Sequence, residues 1–350
     1  MTLQEAMNKI QPVDEYAVMQ SQRHWDSIAK PLGSLGKLER AITQIAGIQR
    51  TSNVQISKKG LVIMCADNGV VREGVTQSGQ DVTAAVAENF LDEKSCVAIM
   101  CRQAHAGIFP VDIGMAVDTP RVEKRKIAYG TKNMAEEPAM TRKEAVRAIE
   151  VGIAKVCELK EEGYELLATG EMGIGNTTTS SAMTSVFLGI EPAEVTGRGA
   201  GLSTKGLKRK IAVIEKAISL HRPKPEDPID VLAKVGGFDI AGLAGVFLGG
   251  AACKIPVVID GFISAVAALT AVKIVPECSP YILASHVSKE PAANLLLKEL
   301  KKEAFLTCDM CLGEGSGAVA LFPLLDFASQ IYHQMSTFDE VSFDAYVHLK

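Results

Sequence analysis

The texture of hydrophobic and polar positions changes about sixty residues into the chain. Before that point apolar residues recur at helical spacing. They predict helices over residues 2–10, around 16–29 and over 37–49, with Pro31, Gly33 and Gly36 interrupting them. Leu61-Val62-Ile63-Met64-Cys65-Ala66 is then continuously apolar and closes on Asp67-Asn68-Gly69. A run that is apolar on both faces predicts a central strand of a parallel sheet, and Asp-Asn-Gly is the turn that ends it.

From there the period alternates. Helical spacing over 81–91 and 96–104 is followed by a strand over 107–113, a helix over 141–162 and a strand over 164–169. Gly170-Glu171-Met172-Gly173-Ile174-Gly175-Asn176 leads into a helix beginning near Thr177. Residues 255–259 and 281–284 predict two more short strands, ending at Asp260-Gly261 and Ser285-His286, with helices to Lys273 and over 290–302. The class is therefore α/β: a mostly parallel, doubly wound sheet with helices on both faces. The last helix, over 317–334, is expected to leave the sheet and pack with the N-terminal helices. Residues 116–138 are charged and aperiodic, which reads as a long excursion.

Composition narrows the function classes. With 47% hydrophobic residues in 350, the chain can bury a sizeable core. A formal charge of −4 with dispersed Lys and Arg argues against nucleic acid as a partner. The most apolar stretch, 240–253, is shorter than the ~20 residues a bilayer crossing needs, so it reads as a buried core helix. No basic segment followed by an apolar one opens the chain, so a cytoplasmic location is expected. Eight cysteines are then read as reduced core thiols. Only Cys308-Asp309-Met310-Cys311 has C-x-x-C spacing, and without a second pair no metal site is expected.

Candidate chemistry gathers where the strands end, since open parallel sheets bind ligands there. Gly170 to Thr178, Gly197-Arg198-Gly199-Ala200-Gly201 and Gly313-Glu314-Gly315-Ser316-Gly317 each precede a predicted helix. Glycines let backbone approach a ligand, and the free N–H groups of the next helix favour an anion. A phosphorylated small molecule is the expected ligand. The absence of G-x-x-x-x-G-K-[ST] argues against a P-loop nucleotidase. The dinucleotide fingerprint has Thr178 at its third glycine, so a dehydrogenase is a poor third option. Paired acidic residues leading to Thr-Gly-Gly-Thr are also absent, so a phosphoribosyl donor would not be a diphosphate. Glu171 and Glu314 could take a proton or stabilise a sugar cation, or could simply be solvated loop carboxylates. Lys210 could pair with phosphate or lie on an exposed helix face, and His286 could be a base or a structural histidine.

One family fits the ordered set Ser34-Leu35-Gly36-Lys37-Leu38-Glu39, Ala66-Asp67-Asn68-Gly69-Val70, Gly170 to Thr178, Gly197-Arg198-Gly199, Gly236-Gly237-Phe238-Asp239-Ile240-Ala241, Asp260-Gly261-Phe262-Ile263-Ser264, Ser285-His286 and Leu312 to Gly317. From about residue 30 to about 330 it resembles the nicotinate-nucleotide–dimethylbenzimidazole phosphoribosyltransferases. That resemblance implies a large α/β domain over 60–324, a small helical domain formed by 1–59 with 325–350, and a homodimer. It implies a transfer of phosphoribose from nicotinate mononucleotide to a benzimidazole base, without cofactor or metal. Glu314 would be the base and Glu171 its assistant. Gly173, Lys210 and Ser288 would hold the phosphate, while Met172, Leu312, Thr76 and Gln80 would border the aromatic base. Asn68, where relatives often carry His, and Cys308 and Cys311 beside the last loop bear on which base is accepted. A related transferase with another acceptor and a silent nucleotide-binding regulator are the alternatives, and the presence of both glutamates argues against the second.

Overall fold

The computed structural model describes residues 1–347. Its sheet comprises β1 (Lys59–Ala66), β2 (Ala106–Gly114), β3 (Glu123–Lys124), β4 (Leu166–Met172), β5 (Val257–Ile259) and β6 (Ile282–Ala284), in the order β3-β2-β1-β4-β5-β6. Every neighbouring pair is parallel. The chain winds outward from β1 in one direction and returns to wind outward from β4 in the other. A crevice must open between β1 and β4, beyond the ends where Met64 pairs with Glu171 and Cys65 with Met172.

All of β1 is buried, as its unbroken apolar run predicts. Strand alternation divides it between two cores: Leu61, Ile63 and Cys65 join Trp25, Ile42 and Phe322, while Val62, Met64 and Ala66 join Ile149 and Phe247. The second face is covered by helices Arg142–Glu161 and Phe238–Cys253, and the latter contains the apolar stretch 240–253. Their backbones touch. A Cβ on Gly152 would fall on the Gly242 carbonyl oxygen, and one on Gly245 on that of Ile149. This glycine crossing sets the depth at which Asp239, in the first turn of its helix, meets the ends of β1 and β4. Among the described residues no helix is long and apolar enough to cross a membrane.

On the opposite face, helices Glu15–Ser27 and Lys37–Gln49 meet helix Ser316–Gln334, which a short helix, Phe338–Val341, follows. Trp25 and Tyr332 stack edge to face with centroids 4.9 Å apart, and Ile28 bridges to Thr337. Helix Ser316–Gln334, expected to be the last, does not simply leave the sheet, because Ala318, Val319 and Phe322 share the core of Leu61 and Leu166. Residues 348–350, the end of the expected C-terminal segment, lie outside the described residues.

Three other expectations need correction. The excursion 116–138 contributes the two-residue edge strand β3, too short to show a period. The helix expected over 290–302 runs only over Ala293–Glu299, with Pro291 in the turn before it. Cys96, Cys308 and Cys311 are exposed; only Cys65, Cys101 and Cys278 are fully buried, and all eight are free thiols.

Candidate active site

The crevice holds an open cavity of about 260 Å³. Each strand end delivers one part of its wall: β4 supplies Glu171, Met172 and the turn Gly173–Gly175, β5 supplies Asp260, and β6 leads to His286 and Ser288. Thr76, Lys210, Leu312 and Glu314 complete the set, so eight of the nine residues to which the resemblance gives a role line one space. Gln80 does not line it. Its Nε2 donates back to the Asn68 carbonyl at 3.3 Å, which turns the side chain away.

The last glycine loop is fixed by Asp260. Its buried carboxylate accepts the N–H groups of Gly315 at 3.2 Å, Gly317 at 2.7 Å and Ala318 at 3.1 Å. These belong to the first turn of helix Ser316–Gln334, where donors lack intrahelical partners and a carboxylate is favoured. Burial raises the Asp260 pKa above the usual carboxylate range, against the opposing effects of His286 and these N–H bonds. Glu314 sits just before that turn at φ +62°, a left-handed conformation that few non-glycine residues adopt, between Gly313 and Gly315 at positive φ. Its Oε2 is buried without a hydrogen-bond partner. Burial, then the Asp260 charge, raises its pKa. A cavity-lining residue whose carboxylate has raised proton affinity and one oxygen without a hydrogen-bond partner is suited to accept a proton.

Glu171 is buried beside it, so the solvated-loop reading is ruled out for this residue. The Asn176 amide donates to Glu171 and, at 3.0 Å, to Asp239 Oδ2, and the Glu314 N–H also donates to Glu171. Burial and the nearby Asp239 push Glu171 up to about 8, while burial pushes Asp239 to about 7.

At the other end lies the cation. Lys210 is 1% exposed despite its basic neighbours Lys208 and Arg209, and its Nζ donates to Thr177 Oγ1 at 2.7 Å. Burial lowers its pKa to about 8, with Glu290 opposing. Helix Thr204–His221 points Lys210 inward because Val213, Ile214 and Ala217, three, four and seven positions on, form its buried stripe. Helix Asn176–Leu188 begins at Gly175 with no side-chain cap, and the Asn176 and Thr178 N–H groups turn back onto the Gly173 and Gly175 carbonyls at 3.1 and 2.9 Å. Ser288 and Glu290 close this end, and Glu290 Oε2 is buried without a hydrogen-bond partner.

Sequence reasoning gave no role to Asn176, Asp239, Asp260 or Glu290. The first three stood inside the quoted motifs, and an Asp directly after an apolar strand was the usable signal for Asp260. Nothing local marked Glu290. Among the described residues, no group of three or more His, Cys, Asp or Glu side chains could hold a metal ion.

Comparison with known proteins identifies the family. A family model described as Phosphoribosyltransferase matches residues 10–342. A nicotinate-nucleotide–dimethylbenzimidazole phosphoribosyltransferase of Ruminiclostridium cellulolyticum is 50% identical over 99% of this chain and 99% of its own. Its namesake from Acetivibrio thermocellus is 50% identical over 93% of both chains. The crystal structure of CobT from Thermus thermophilus superposes with a TM-score of 0.89 at 36% identity, covering 94% of this chain and 99% of that one. With relatives this close over nearly its whole length, the chain belongs to the nicotinate-nucleotide–dimethylbenzimidazole phosphoribosyltransferase family.

Proposed function

We propose that this protein transfers 5-phosphoribose from nicotinate mononucleotide to 5,6-dimethylbenzimidazole or a closely related base. The products are nicotinate and α-ribazole 5′-phosphate, the nucleotide of the cobalamin lower ligand. The observation that carries the reading is a single cavity with a buried lysine at one end and buried carboxyl groups at the other. A ribose 5-phosphate bound across it would set phosphate against Lys210, Ser288 and the backbone of Gly173, and the anomeric carbon near Glu171 and Glu314. Met172, Leu312 and Thr76 would flank the aromatic base, and Leu312, 54% exposed, would gain most cover from it.

The chemistry follows from the substrates. The pyridinium of the donor is already a cationic leaving group, so its C–N bond breaks with the electron pair going to the ring nitrogen and no acid is needed. Positive charge grows on the ribose, where negative charge on Asp260 and Glu314 stabilises it. One benzimidazole nitrogen bonds to the anomeric carbon and Glu314 removes the proton from the other, leaving the attached base uncharged. No metal or redox step enters.

Residues 1–59 and the C-terminal segment from 325 act in this reading as a small helical domain under the catalytic one. We take the working form to be a cytoplasmic homodimer, as the resemblance implies. The test is incubation with nicotinate mononucleotide and a panel of benzimidazoles, purines and phenols, with products identified by mass. A phosphoribosylated benzimidazole supports the reading, and none with any base sinks it.

A further inference from the structure

Two buried carboxyl groups in this site share one amide. Asn176 Nδ2 reaches Glu171 and Asp239 together, Glu171 is 8% exposed and Asp239 0%. Among the described residues neither forms an ion pair with a lysine or arginine. The groups facing Glu171 are Asp239 from helix Phe238–Cys253, Asp260 after β5, the Cys65 thiol on β1, the Asn176 amide and the Glu314 N–H. Those facing Asp239 are Glu171, Cys65, Asn176, Asp67 after β1 and the N–H groups of its own helix start. No cation is among them. Like charges at this separation in a water-poor site do not both persist, so the pair holds at least one proton.

The ligand decides where that proton matters. Nicotinate mononucleotide carries phosphate and a carboxylate and is net anionic, yet the cavity offers it Glu171, Asp260, Glu314 and Glu290 against one buried lysine, Lys210, and the exposed Arg198. An ionised Glu171 would repel the donor as well as its neighbours. We propose that Asp239 is a positioning residue whose charge, held beside Glu171 by the shared Asn176 amide, outweighs that amide's own pull toward ionisation and keeps Glu171 in its neutral acid form at neutral pH, so that Glu171 meets the nucleotide as a hydrogen-bond donor. The two glutamates then divide the work: Glu314 accepts a proton and Glu171 offers one without giving it up. Burial and the Asp239 charge, which place Glu171 at about 8, agree with this assignment.

Asp239 also faces Asn68. A Cβ on Gly237 would crowd Asp239 Oδ1 and Asn68 Oδ1 alike, and neither oxygen has a hydrogen-bond partner. Asp239→Asn therefore suits the site sterically, since the new amide can give its carbonyl to Asn176 and its NH₂ to Asn68. It removes the charge that opposes ionisation of Glu171.

The inference rests on the transferase reading only for the identity of the donor, and its first readout needs no substrate. Infrared difference spectra of wild type against Glu171→Gln should show the C=O stretch of a protonated carboxyl at pH 7, disappearing as pH rises past about 8. The same difference on the Asp239→Asn background should disappear at least roughly one pH unit lower. In kcat/KM for the nucleotide, the alkaline limb should move to lower pH by a matching amount, whereas structural damage would lower the whole profile without moving it. Absence of the band at pH 7, or an unmoved midpoint in Asp239→Asn, overturns the proposal. A band that behaves as expected in a protein that transfers no phosphoribose would instead overturn the proposed function.

Discussion

Lys210 gives the sharpest quantitative prediction. Burial holds its ammonium at about 8, down from 10.5, and no carboxylate stands within ion-pair distance among the described residues. At ~1.4 kcal/mol per pKa unit, the empty site disfavours the cation by roughly 3 kcal/mol. The sign follows: between pH 8 and 10.5 the unfolded chain binds more protons than the folded one, so this residue makes the unliganded fold more stable as pH rises through that window. A phosphate in the cavity reverses the preference. At pH 8 the nucleotide phosphate is already fully ionised, having a second pKa near 6, so binding should draw about half a proton onto Lys210. Lys210→Met keeps the stem and deletes the charge. Losing a charge-assisted hydrogen bond of about 1.5–3 kcal/mol should weaken nucleotide binding roughly ten- to a hundredfold and raise its KM, with the KM for the base little changed. The unliganded variant should be more stable at pH 7, because a poorly solvated cation has gone. Calorimetry in buffers of different ionisation enthalpy reads affinity and proton uptake together, and denaturant titration reads stability. Unchanged nucleotide affinity, or uptake that persists in Lys210→Met, would refute the reasoning.

Further outcomes follow from other parts of the site and fold. Glu314→Gln keeps shape but cannot take the proton, so kcat should fall about 10²–10⁴-fold with nucleotide affinity by calorimetry nearly unchanged, while Glu171→Gln loses less; near-normal turnover in a folded Glu314→Gln moves the base elsewhere. Gly152→Ala drives a methyl into the Gly242 carbonyl, where two helix backbones meet and neither can yield. It should cost about 3 kcal/mol or more in denaturant unfolding, and a loss under 1 kcal/mol would show that the crossing relaxes. Activity should be insensitive to chelators and mild reductants, and loss with EDTA that zinc restores would locate a metal role, with Cys308 and Cys311 the first candidates.

Local pattern made much of the fold legible. The helices Lys37–Gln49 and Asp81–Leu91 begin and end where the periodicity places them, because turn residues and apolar spacing act within a few residues of one another. The unbroken run of β1 likewise announces a strand buried on both faces, and glycine turns at strand ends announce a ligand there. The edge strand β3 was not marked, because two residues are too few for a period to declare itself. β5 and β6, three residues each, fall within the short strands placed over 255–259 and 281–284.

Amino-acid order alone thus determined the α/β alternation, the position of the glycine-rich loops at the strand ends and the two loop glutamates that line the cavity. Only the tertiary structure decided which charges meet. Lys210 lies in a run of three basic residues that reads equally well as a solvated face, and its burial comes from the helix rotation imposed by Val213, Ile214 and Ala217. Asp239, Asn176 and Glu171 are brought to one amide by a glycine crossing of two helices and the pairing of β1 with β4, contacts spanning up to 68 positions between Glu171 and Asp239. Periodicity extends over a turn or two, whereas proton affinity depends on what burial removes and which charges packing brings within a few ångströms. That dependence is why the roles of Asn176, Asp239 and Asp260 emerged only once the strands had been put in order.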